Sequence, residues 1–372
     1  MDPISIIGAG IGGLTLANIL KRYNLDFNLY ESAQEIKPAG SGIMMAINAM
    51  QIFDTLGLKE QIERAGNKIH SVSVTDQQLK NISTTNVLAL EQKYNSCNVA
   101  IHRADLQRIL AENIGFERIN LQHALTEIKK EENYRLRFEN GNEIESRIVF
   151  GADGIHSKIR KQILQTGKIR DTGQICWRGL VEFDLPEKYY QEALEAWGKG
   201  KRFGFVKMTG QKIYWYAVIN KGLHKRYQSI AENFHCFHPM MIDMINATLP
   251  ENIIMNTLTD LSSIPKWYAD NLCLIGDAAH ATTPNLGQGA CQSVEDAYII
   301  GKLLERSDDF NRIFEDFQKI RRKKVDYVVD TSWRIGQFSQ WEKATALRNF
   351  LMRMVPEYFN RKLVGRVVEL EM

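Results

Sequence analysis

Hydrophobic and polar positions recur along this chain with two different periods, and the period predicts where helices and strands lie. Short apolar runs from Ile4 to Ile7 and from Phe27 to Tyr30 enclose a helical stripe, Leu14 to Arg22, and this order is typical of a βαβ unit. Residues 43–65 carry apolar side chains at helical spacing, whereas residues 69–96 alternate in the manner of strands. The chain is therefore expected to open with a parallel α/β unit and to leave it through strands.

The middle of the chain combines one clear helix with many strand patterns. A helix is predicted from Arg103 to Ile114, and short strands follow as far as Phe150. Strand patterns predominate from Thr172 to Leu261, with a helical patch at about residues 230–248. The run from Leu272 to Ile275 is again a buried strand. We therefore expect a second lobe, built on a sheet, between two parts of the first domain.

The last part of the chain is predicted to be helical, with a long helix from Gly289 to Arg306 and further helices over residues 310–370. An amphipathic stripe follows one side of the final segment and consists of Phe350, Leu351, Val355, Phe359, Leu363 and Val367. We interpret it as a C-terminal helix that covers the core, with membrane contact as the alternative.

The first loop of the chain carries Gly8, Gly10 and Gly13 between a strand and a helix. In a G-x-G-x-x-G turn the first glycine permits the tight turn, the second lets the backbone approach a pyrophosphate, and the third lets the helix pack on the strand. Glu31 follows the second strand, where a carboxylate accepts hydrogen bonds from a ribose diol. The opening predicts a dinucleotide site; the alternative is a glycine-rich turn in another kind of βα unit.

Composition limits the remaining possibilities. The 372 residues suffice for two domains, and 44% hydrophobic and 24% charged residues are ordinary for a soluble enzyme. A net charge of +3 gives no case for nucleic acid binding. The five cysteines are scattered without a C-x-x-C pair, so we expect no disulfide framework and no metal site. Since the sequence shows neither a signal peptide nor an apolar run of about 18 residues, we expect a cytoplasmic protein without an integral membrane segment.

Two further motifs point to a family. The segment 149–160 contains Asp153-Gly154, and the segment 274–289 contains Gly276-Asp277 and then Gly287-Gln288-Gly289. With the opening glycines, these motifs in this order strongly resemble the single-component, class A FAD-dependent monooxygenases of the p-hydroxybenzoate hydroxylase fold. The resemblance covers almost the whole chain, up to about residue 330.

The resemblance implies an α/β fold: a Rossmann-like FAD/NAD(P)-binding domain of the glutathione-reductase type, with an inserted β-sheet substrate domain and C-terminal helices. The expected segments are a discontinuous FAD-binding domain at 1–72, 99–171 and 265–330, a β-sheet substrate lobe at 73–98 and 172–264, and a C-terminal helical segment at 331–372.

The resemblance also implies the chemistry. FAD is expected to bind without covalent attachment, because no flavin-linkage motif is present, and NADH or NADPH is expected to reduce it. Since no second G-x-G-x-x-G exists, the nicotinamide is expected to bind transiently in a surface cleft. Reduced flavin and O2 then give a C4a-hydroperoxide, which needs a dry pocket and hydroxylates a small aromatic or heteroaromatic substrate. We expect a monomer or a homodimer.

Several residues are assigned to the cofactor on these grounds. Asp277 is expected to bind the ribityl hydroxyls, with a helix cap as the alternative. Arg103 is expected to approach FAD, with a solvated arginine as the alternative, and Asp153 is expected to be a scaffold carboxylate. The helix that begins after Gly287 directs its N–H groups at the flavin pyrimidine. The predicted cofactor-binding residues are Gly8, Gly10, Gly13, Glu31, Arg103, Asp153, Asp277, Gly287, Gln288 and Gly289.

Three residues are candidates for the chemistry itself. Arg202 and Tyr214 lie on predicted neighbouring strands of a hairpin, where an arginine and a phenol would orient a planar substrate. Their spacing of 12 is similar to the pair in bacterial FAD-dependent urate hydroxylases; the alternative is cross-strand packing. Pro284 resembles the family's proline beside the oxygen-reactive face, with plain turn chemistry as the alternative.

Weaker candidates and other functions stay open at this point. Arg178 is a weaker substrate candidate, whereas His156 and His280 are expected to pack and orient rather than to transfer protons. The five basic residues among Lys319 to Lys324 are typical of a solvated helix face, with an acidic partner or an NADPH phosphate as the alternative. The alternative functions are an epoxidase or other flavin oxidoreductase that acts on an alkene or prenyl chain, and a non-catalytic flavin-binding protein.

Overall fold

The computed structural model of the protein describes residues 3–36, 41–225 and 227–371. Its strands are β1 (Ile4–Ile7), β2 (Phe27–Tyr30), β3 (Gly42–Met45), β4 (Asn67–Ile69), β5 (Ser71–Asp76), β6 (Asn81–Asn86), β7 (Asn98–His102), β8 (Ile119–Asn120), β9 (Leu125–Lys130), β10 (Tyr134–Phe138), β11 (Glu143–Ser146), β12 (Val149–Gly151), β13 (Ile169–Glu182), β14 (Glu192–Trp197), β15 (Lys201–Lys207), β16 (Lys212–Asn220), β17 (Ile253–Leu261), β18 (Tyr268–Ala269) and β19 (Leu272–Leu274). Its α-helices are α1 (Ile11–Arg22), α2 (Ile47–Thr55), α3 (Lys59–Ala65), α4 (Leu88–Tyr94), α5 (Arg103–Ile114), α6 (Ile230–Asn233), α7 (Pro239–Ala247), α8 (Asp277–His280), α9 (Gly289–Leu304), α10 (Phe310–Ser339), α11 (Thr345–Met354) and α12 (Glu357–Val368).

A six-stranded sheet in the order β18-β19-β12-β1-β2-β8 forms the centre of the first lobe. Its strands β19, β12, β1, β2 and β8 run parallel, and β18 runs antiparallel at one edge. All four residues of β1 are buried, as expected for a parallel strand that is covered on both faces. Helices α1, α5 and α9 pack against one another beside this sheet, which confirms the predicted mixed α/β fold.

The second lobe is built on a seven-stranded sheet in the order β17-β13-β16-β15-β14-β5-β6. Alternation along β16 buries Ile213, Trp215 and Ala217 on one face, in an apolar cluster that includes Met241 of α7. The other face carries polar and aromatic side chains. We call it the polar face, and it consists of Arg178, Glu195, Arg202, Tyr214 and Tyr216.

Several elements match the sequence prediction, and others differ for identifiable reasons. The helix 103–114 and the hairpin of β15 and β16 lie where they were predicted. Residues 43–65, predicted as one helix, instead form β3, α2 and α3, because Gly57 adopts φ +73° and β3 pairs with the distant strand β7. Residues 88–94, predicted within a strand region, form a helix of good helix formers such as Leu, Glu, Gln and Lys.

The basic run near residue 321 differs from the expected solvated face. Arg321 and Lys324 are buried, whereas Lys323 is exposed. The Arg321 guanidinium contacts Glu295 at 2.7 Å and Asp296 at 2.9 Å, and Lys324 contacts Glu295 at 2.8 Å. The solvated-face prediction is therefore wrong for Arg321 and Lys324, which join α10 to α9 through buried ion pairs.

The final helices also differ from the prediction that their apolar stripe covers the core. Val367 is buried, in agreement with it, but Phe350 and Phe359 are 55% and 60% exposed. The reason is that α11 attaches to the protein through a different side, which carries the buried Arg348.

We predict that Arg321→Met destabilises the protein by about 3–5 kcal/mol, because the substitution removes one counter-charge from each of two buried carboxylates, Glu295 and Asp296. The free energy of unfolding is measured by urea denaturation at saturating FAD. The matched control is Arg312→Met on the same helix, where the side chain is 74% exposed and only a 3.9 Å contact with Asp316 is lost. Equal stabilities for the two variants would show that the buried pairs contribute no net stability.

Candidate active site

The fold brings the three glycine and aspartate motifs to one edge of the six-stranded sheet. The G-x-G-x-x-G turn follows β1, Asp153-Gly154 follows β12, and Gly276-Asp277 follows β19. These three strands are parallel neighbours, so their carboxyl ends lie side by side. In open α/β sheets this edge is where nucleotide ligands bind.

The first loop has the geometry that a pyrophosphate requires. Gly8 adopts φ +107°, and a Cβ atom at this position would lie 2.4 Å from the carbonyl oxygen of Ala152. A Cβ atom on Gly13 would lie 1.9 Å from the Gly8 carbonyl oxygen, so the helix and strand require a glycine there. Around Gly10, by contrast, no atom lies within 4 Å of the Cβ position. The loop is closely packed at two glycines and open at the third, and this arrangement fits FAD.

Glu31, the predicted ribose ligand, is held at the end of β2 by the backbone around it. The Ala9 N–H donates to Oε2 at 2.7 Å, and the Ala33 N–H donates to Oε1 at 2.9 Å. The carboxylate therefore fixes the glycine loop relative to β2. Oε1 also accepts a hydrogen bond from the Ser32 hydroxyl at 2.9 Å, so Oε2 is the oxygen that keeps a lone pair for a ligand hydroxyl.

Asp153 is built into the turn that follows β12. Its Oδ2 accepts hydrogen bonds from the Lys158 N–H at 2.8 Å and the Ile159 N–H at 3.3 Å, whereas Oδ1 is buried and has no partner. Burial raises the pKa of the Asp153 carboxyl. Two backbone donors on one oxygen agree with the predicted scaffold role, and the unpaired oxygen is available to a ligand.

Asp277 begins α8 and lines a concave part of this edge. Its side chain is exposed to solvent, yet protein atoms surround it closely enough that burial raises the pKa of its carboxyl. The charges of His280 and Arg103 oppose this shift, which places Arg103 near the same carboxylate. The predicted cofactor residues Arg103 and Asp277 are therefore near each other at this edge of the sheet.

The loop before α9 places its backbone, rather than its glutamine, on the cofactor side. Gly287 adopts φ +63°, and α9 begins at Gly289 as predicted. The Gln288 side chain is buried, and its Oε1 accepts hydrogen bonds from Asn48 at 3.1 Å and Gln292 at 3.0 Å. If residue 288 contacts a cofactor, it does so through its main chain.

Pro284 and its neighbour Asn285 form the part of this loop that meets the second lobe. Pro284 is exposed. Asn285 donates to the Ser332 carbonyl of α10 at 2.8 Å and accepts from Arg202 at 2.9 Å. The asparagine therefore joins the motif loop to both the last long helix and the seven-stranded sheet.

Arg202 is buried at the centre of this junction, and only 1% of its surface is exposed. Besides Asn285, it donates to Gln174 at 3.3 Å and contacts Glu195 at 3.5 Å. Its Nε has no partner. The structure thus makes Arg202 a link between the two lobes, and its charge is balanced by Glu195.

Tyr214 shares the polar face with Arg202, but the two are not cross-strand neighbours. Tyr214 lies opposite Val206, whereas Arg202 lies opposite Val218. Tyr216 lies between them, and its hydroxyl donates to Glu195 at 2.5 Å. The predicted pair is therefore connected through a tyrosine and a glutamate rather than by direct contact.

Three residues of the polar face form one row across the sheet together with Gly204, since Arg178 pairs with Tyr216, Tyr216 with Gly204, and Gly204 with Glu195. A Cβ atom on Gly204 would lie 2.2 Å from the Tyr216 ring, so the glycine lets this ring cross the strand to reach Glu195. Burial raises the pKa of Tyr216 well above its usual value, and the Glu195 carboxylate adds to this shift. The phenol therefore stays protonated and donates.

The two histidines do not line this junction as acid–base groups. His280 is buried beside Trp267, and its Nε2 lies 2.6 Å from Asp296. His156 is exposed in the turn after β12. These positions agree with packing and orienting roles.

Sequence reasoning missed Glu195, Asn285 and the buried partners on α9. Glu195 lies in Glu192–Trp197, within the region where strand patterns predominate but where no individual strand was assigned, so its pairing with β15 was not visible. Asn285 had a signal, since it follows Pro284 inside a motif segment. No sequence signal marked the cluster around Arg321, because a buried basic run and a solvated one look the same in a single sequence.

Comparison with known proteins identifies relatives along the whole chain. The family model described as "FAD binding domain" matches residues 2–308. The aurachin C monooxygenase/isomerase of Stigmatella aurantiaca is 33% identical over 95% of this chain and 94% of its own length. A 2-heptyl-3-hydroxy-4(1H)-quinolone synthase of Pseudomonas aeruginosa is 30% identical over 98% of this chain and 97% of its own length.

The fold is shared with a solved structure, that of Klebsiella pneumoniae HpxO complexed with FAD and uric acid. The TM-score is 0.90 at 22% identity, over 98% of this chain and 96% of that chain. At this identity the match shows the fold alone. It agrees with the arrangement of the two lobes and the C-terminal helices described above.

We predict that Gly10→Val abolishes FAD retention and weakens affinity by about 100-fold or more, because its side chain would enter the space of the pyrophosphate. The protein should still fold, since φ at Gly10 is −70° and no atom lies near its Cβ position. FAD content and fluorescence titration measure the effect. Gly222→Val, at another open glycine, is the matched control. Normal flavin content in the Gly10 variant contradicts the assignment.

We predict that Asp277→Ala weakens FAD affinity by about tenfold or more, as expected for the loss of a hydrogen bond to a charged group. The fraction that still binds FAD should remain reducible by NAD(P)H, because the carboxylate holds the ribityl chain and transfers no proton. Affinity is measured by flavin titration, with Asp308→Ala on the surface as the control. Unchanged affinity with lost turnover would instead give Asp277 a catalytic role.

Proposed function

This chain belongs to the FAD-binding-domain family, as an FAD-dependent monooxygenase of the single-component, aromatic hydroxylase type, and we propose that it uses NAD(P)H and O2 to hydroxylate a flat heteroaromatic ring that bears an apolar substituent. The observation that carries this proposal is the state of Arg202. The arginine is buried between the lobes and already balanced by Glu195. Arg202 thus offers a substrate little free positive charge, and Arg178 is the other arginine of the polar face.

The surroundings of Tyr214 support an apolar contact with the substrate. Met44, Leu180 and Tyr214 pack against one apolar cluster that includes Val206. The Met44 methyl group also lies 3.7 Å from the Cβ position of Gly287, so this apolar cluster reaches the cofactor loop. A neutral ring with an alkyl chain gains free energy by burial against this cluster, whereas an anion would lose hydration and would depend on Arg178 for a counter-charge.

The relatives agree with this substrate class. One relative, at 30% identity, is named as the synthase of 2-heptyl-3-hydroxy-4(1H)-quinolone, which is a bicyclic heteroaromatic ring with a heptyl chain. We infer that a 2-alkyl-4-quinolone or a ring of similar shape is the substrate of this chain.

In the proposed mechanism, FAD when bound supplies the activation of O2 and the oxygen atom that is transferred. The chain's own residues hold and orient. We propose that the turn at Gly10 receives the pyrophosphate, that Glu31 binds the ribose, and that Asp277 with Arg103 binds the ribityl side. We propose that the N-terminus of α9 would direct its positive dipole end at the flavin ring, where it would favour the negatively charged reduced form.

The same mechanism gives Arg202 a positioning role rather than a direct one. Arg202 holds Asn285, and Asn285 holds the loop that presents Pro284. We propose that this contact fixes the distance between the cofactor loop and the polar face, where Tyr214 and Arg178 orient the ring. The apolar wall near Met44 excludes water from the reacting atoms. The chemical route of oxygen transfer that the family resemblance implies stays a prediction.

A purine of the urate type is the second candidate. The spacing of 12 between Arg202 and Tyr214 favours it, as does the shared fold with a structure that holds uric acid. In that case Arg202 would have to exchange its bonds to Glu195 and Asn285 for bonds to an anion. The alkyl quinolone is preferred because it requires no such rearrangement.

The experiment that tests the function is a substrate panel with the FAD-loaded enzyme. A 2-alkyl-4-quinolone, the same ring without its chain, urate and a prenyl-chain alkene are each incubated with NADH or NADPH and O2. We expect the alkyl quinolone to stimulate NAD(P)H oxidation and to yield a product one oxygen atom heavier by mass spectrometry. A heavier product from urate alone supports the second candidate, and oxidation of the alkene alone supports an epoxidase. No stimulation by any compound contradicts both heteroaromatic proposals.

We predict that Arg202→Lys lowers the hydroxylation rate by about 10²-fold and releases hydrogen peroxide, while FAD content stays normal. Lysine keeps the charge beside Glu195 but lacks the planar fork that bonds Asn285 and Gln174 together. Product per NAD(P)H consumed is measured with peroxide alongside. The control is Arg170→Lys, which breaks a two-bond contact with Asp260 in the same sheet. Wild-type coupling in the Arg202 variant would make the arginine merely structural.

A further inference from the structure

Helix α11 turns its apolar side away from the protein. Leu347, Phe350, Leu351 and Met354 recur at the spacing of three and four residues that places side chains on one side of a helix. All four are exposed, Met354 to 65%. In a helix that packs on a globular core the apolar side faces inward, so this orientation requires another explanation.

The orientation of α11 is fixed by its opposite side. Arg348 is fully buried there, and its guanidinium donates to the carbonyl oxygens of Ser339 at 2.6 Å and Gly198 at 3.1 Å. The same group lies 5.2 Å from the centre of the Trp197 ring. Because the buried Arg348 holds the inner side of α11, the apolar side of this helix faces outward.

The exposed apolar surface continues into α12. Val355 follows α11 directly, and Tyr358 and Phe359 lie in the first turn of α12 with their ring centres 5.6 Å apart. We call this surface the C-terminal apolar face; it consists of Leu347, Phe350, Leu351, Met354, Val355, Tyr358 and Phe359, all exposed. Seven adjoining apolar side chains exceed the single exposed residues that are normal on a soluble surface.

Basic residues surround this face. Between residues 343 and 366 one side chain, Glu357, is acidic and six are basic, of which Arg348 is buried on the inner side and five remain: Lys343, Arg353, Arg361, Lys362 and Arg366. Arg353 and Lys362 are exposed next to the apolar side chains. A second copy of the chain would bring a second basic rim against the first, so the charge pattern disfavours self-association.

We propose that the C-terminal apolar face binds the surface of an anionic lipid bilayer, with α11 and the start of α12 lying in the interface. Apolar and aromatic side chains on one side, with basic residues beside them, are the features of a helix that rests on a membrane. Anionic headgroups complement the basic rim. Across residues 3–36, 41–225 and 227–371, no helix combines the length and apolar character needed to cross a bilayer, so the contact is peripheral.

This inference is independent of the substrate proposed above. Arg348, which holds α11, also feels the charges of Arg202 and Glu195, so the face adjoins the lobe that carries the polar face. An alkyl-bearing substrate dissolved in a bilayer would thus meet the protein on the side of its substrate lobe.

The test is flotation of the FAD-loaded protein with two kinds of vesicle. One kind is pure phosphatidylcholine, and the other contains about 30% phosphatidylglycerol, a typical anionic fraction for surface binding. We expect binding to the anionic vesicles at low salt, at least about tenfold weaker binding to neutral vesicles, and partial release by salt. Absence of binding to anionic vesicles overturns the proposal, as does equal binding to both kinds.

Paired variants locate the contact. Phe350→Asp with Met354→Asp should weaken binding to anionic vesicles by about tenfold or more, and Arg353→Glu with Lys362→Glu should do the same. The matched controls are Phe116→Asp, at an equally exposed phenylalanine, and Lys161→Glu, and both should bind as the wild type does. Binding that survives both pairs of substitutions overturns the proposal.

FAD content and substrate-free NAD(P)H oxidation in solution should be unchanged in every variant, and this separates a failure of this proposal from a failure of the proposed function. Sedimentation velocity without lipid tests whether a second copy of the chain, rather than a bilayer, covers the C-terminal apolar face. A dimer that dissociates in the Phe350 and Met354 variant, together with no vesicle binding, assigns the face to a second copy and overturns the bilayer proposal.

Discussion

The carboxylate of Asp296 is the group on which the geometry of the site depends. Its Oδ2 accepts hydrogen bonds from the Gly276 N–H at 2.9 Å and from His280 at 2.6 Å, and its Oδ1 accepts from Arg321 at 2.9 Å. Burial opposes its ionisation, yet the charges of His280 and Arg321 outweigh burial and lower its pKa to about 2. The charged form is therefore maintained in the core, and it fixes the turn that presents Asp277.

The same cluster ties the last helices to the cofactor edge. Arg321 and Lys324 of α10 both contact Glu295, and Lys324 also donates to the Glu369 carbonyl at 2.6 Å. A segment far from the motifs in sequence thus determines how rigidly they are held. Buried charges of this kind act as a group, since Glu295 and Asp296 each have two charged partners and removal of one changes the balance of all the others.

The two lobes differ in how much of them could be predicted from the sequence. The edge formed after β1, β12 and β19 was predictable, because glycine and aspartate requirements are local and the motifs carry them. The polar face was predictable only in part: alternation placed Tyr214 and Tyr216 on one side, but the link from Tyr216 over Gly204 to Glu195 depends on cross-strand register. Register and the burial of charge are set by distant contacts, which a single sequence does not display.

The C-terminal helices have a consequence for the sheet that they cover. Strand β6 is the last strand of the seven-stranded sheet, and both α11 and α12 contact it. Asn360 donates to the Ser83 hydroxyl of this strand at 2.9 Å. An uncovered edge strand is a template for pairing with another chain, and aggregation begins at such edges. The helices that carry the exposed apolar side chains therefore also lie beside this edge, where they leave a foreign strand less room to pair with β6.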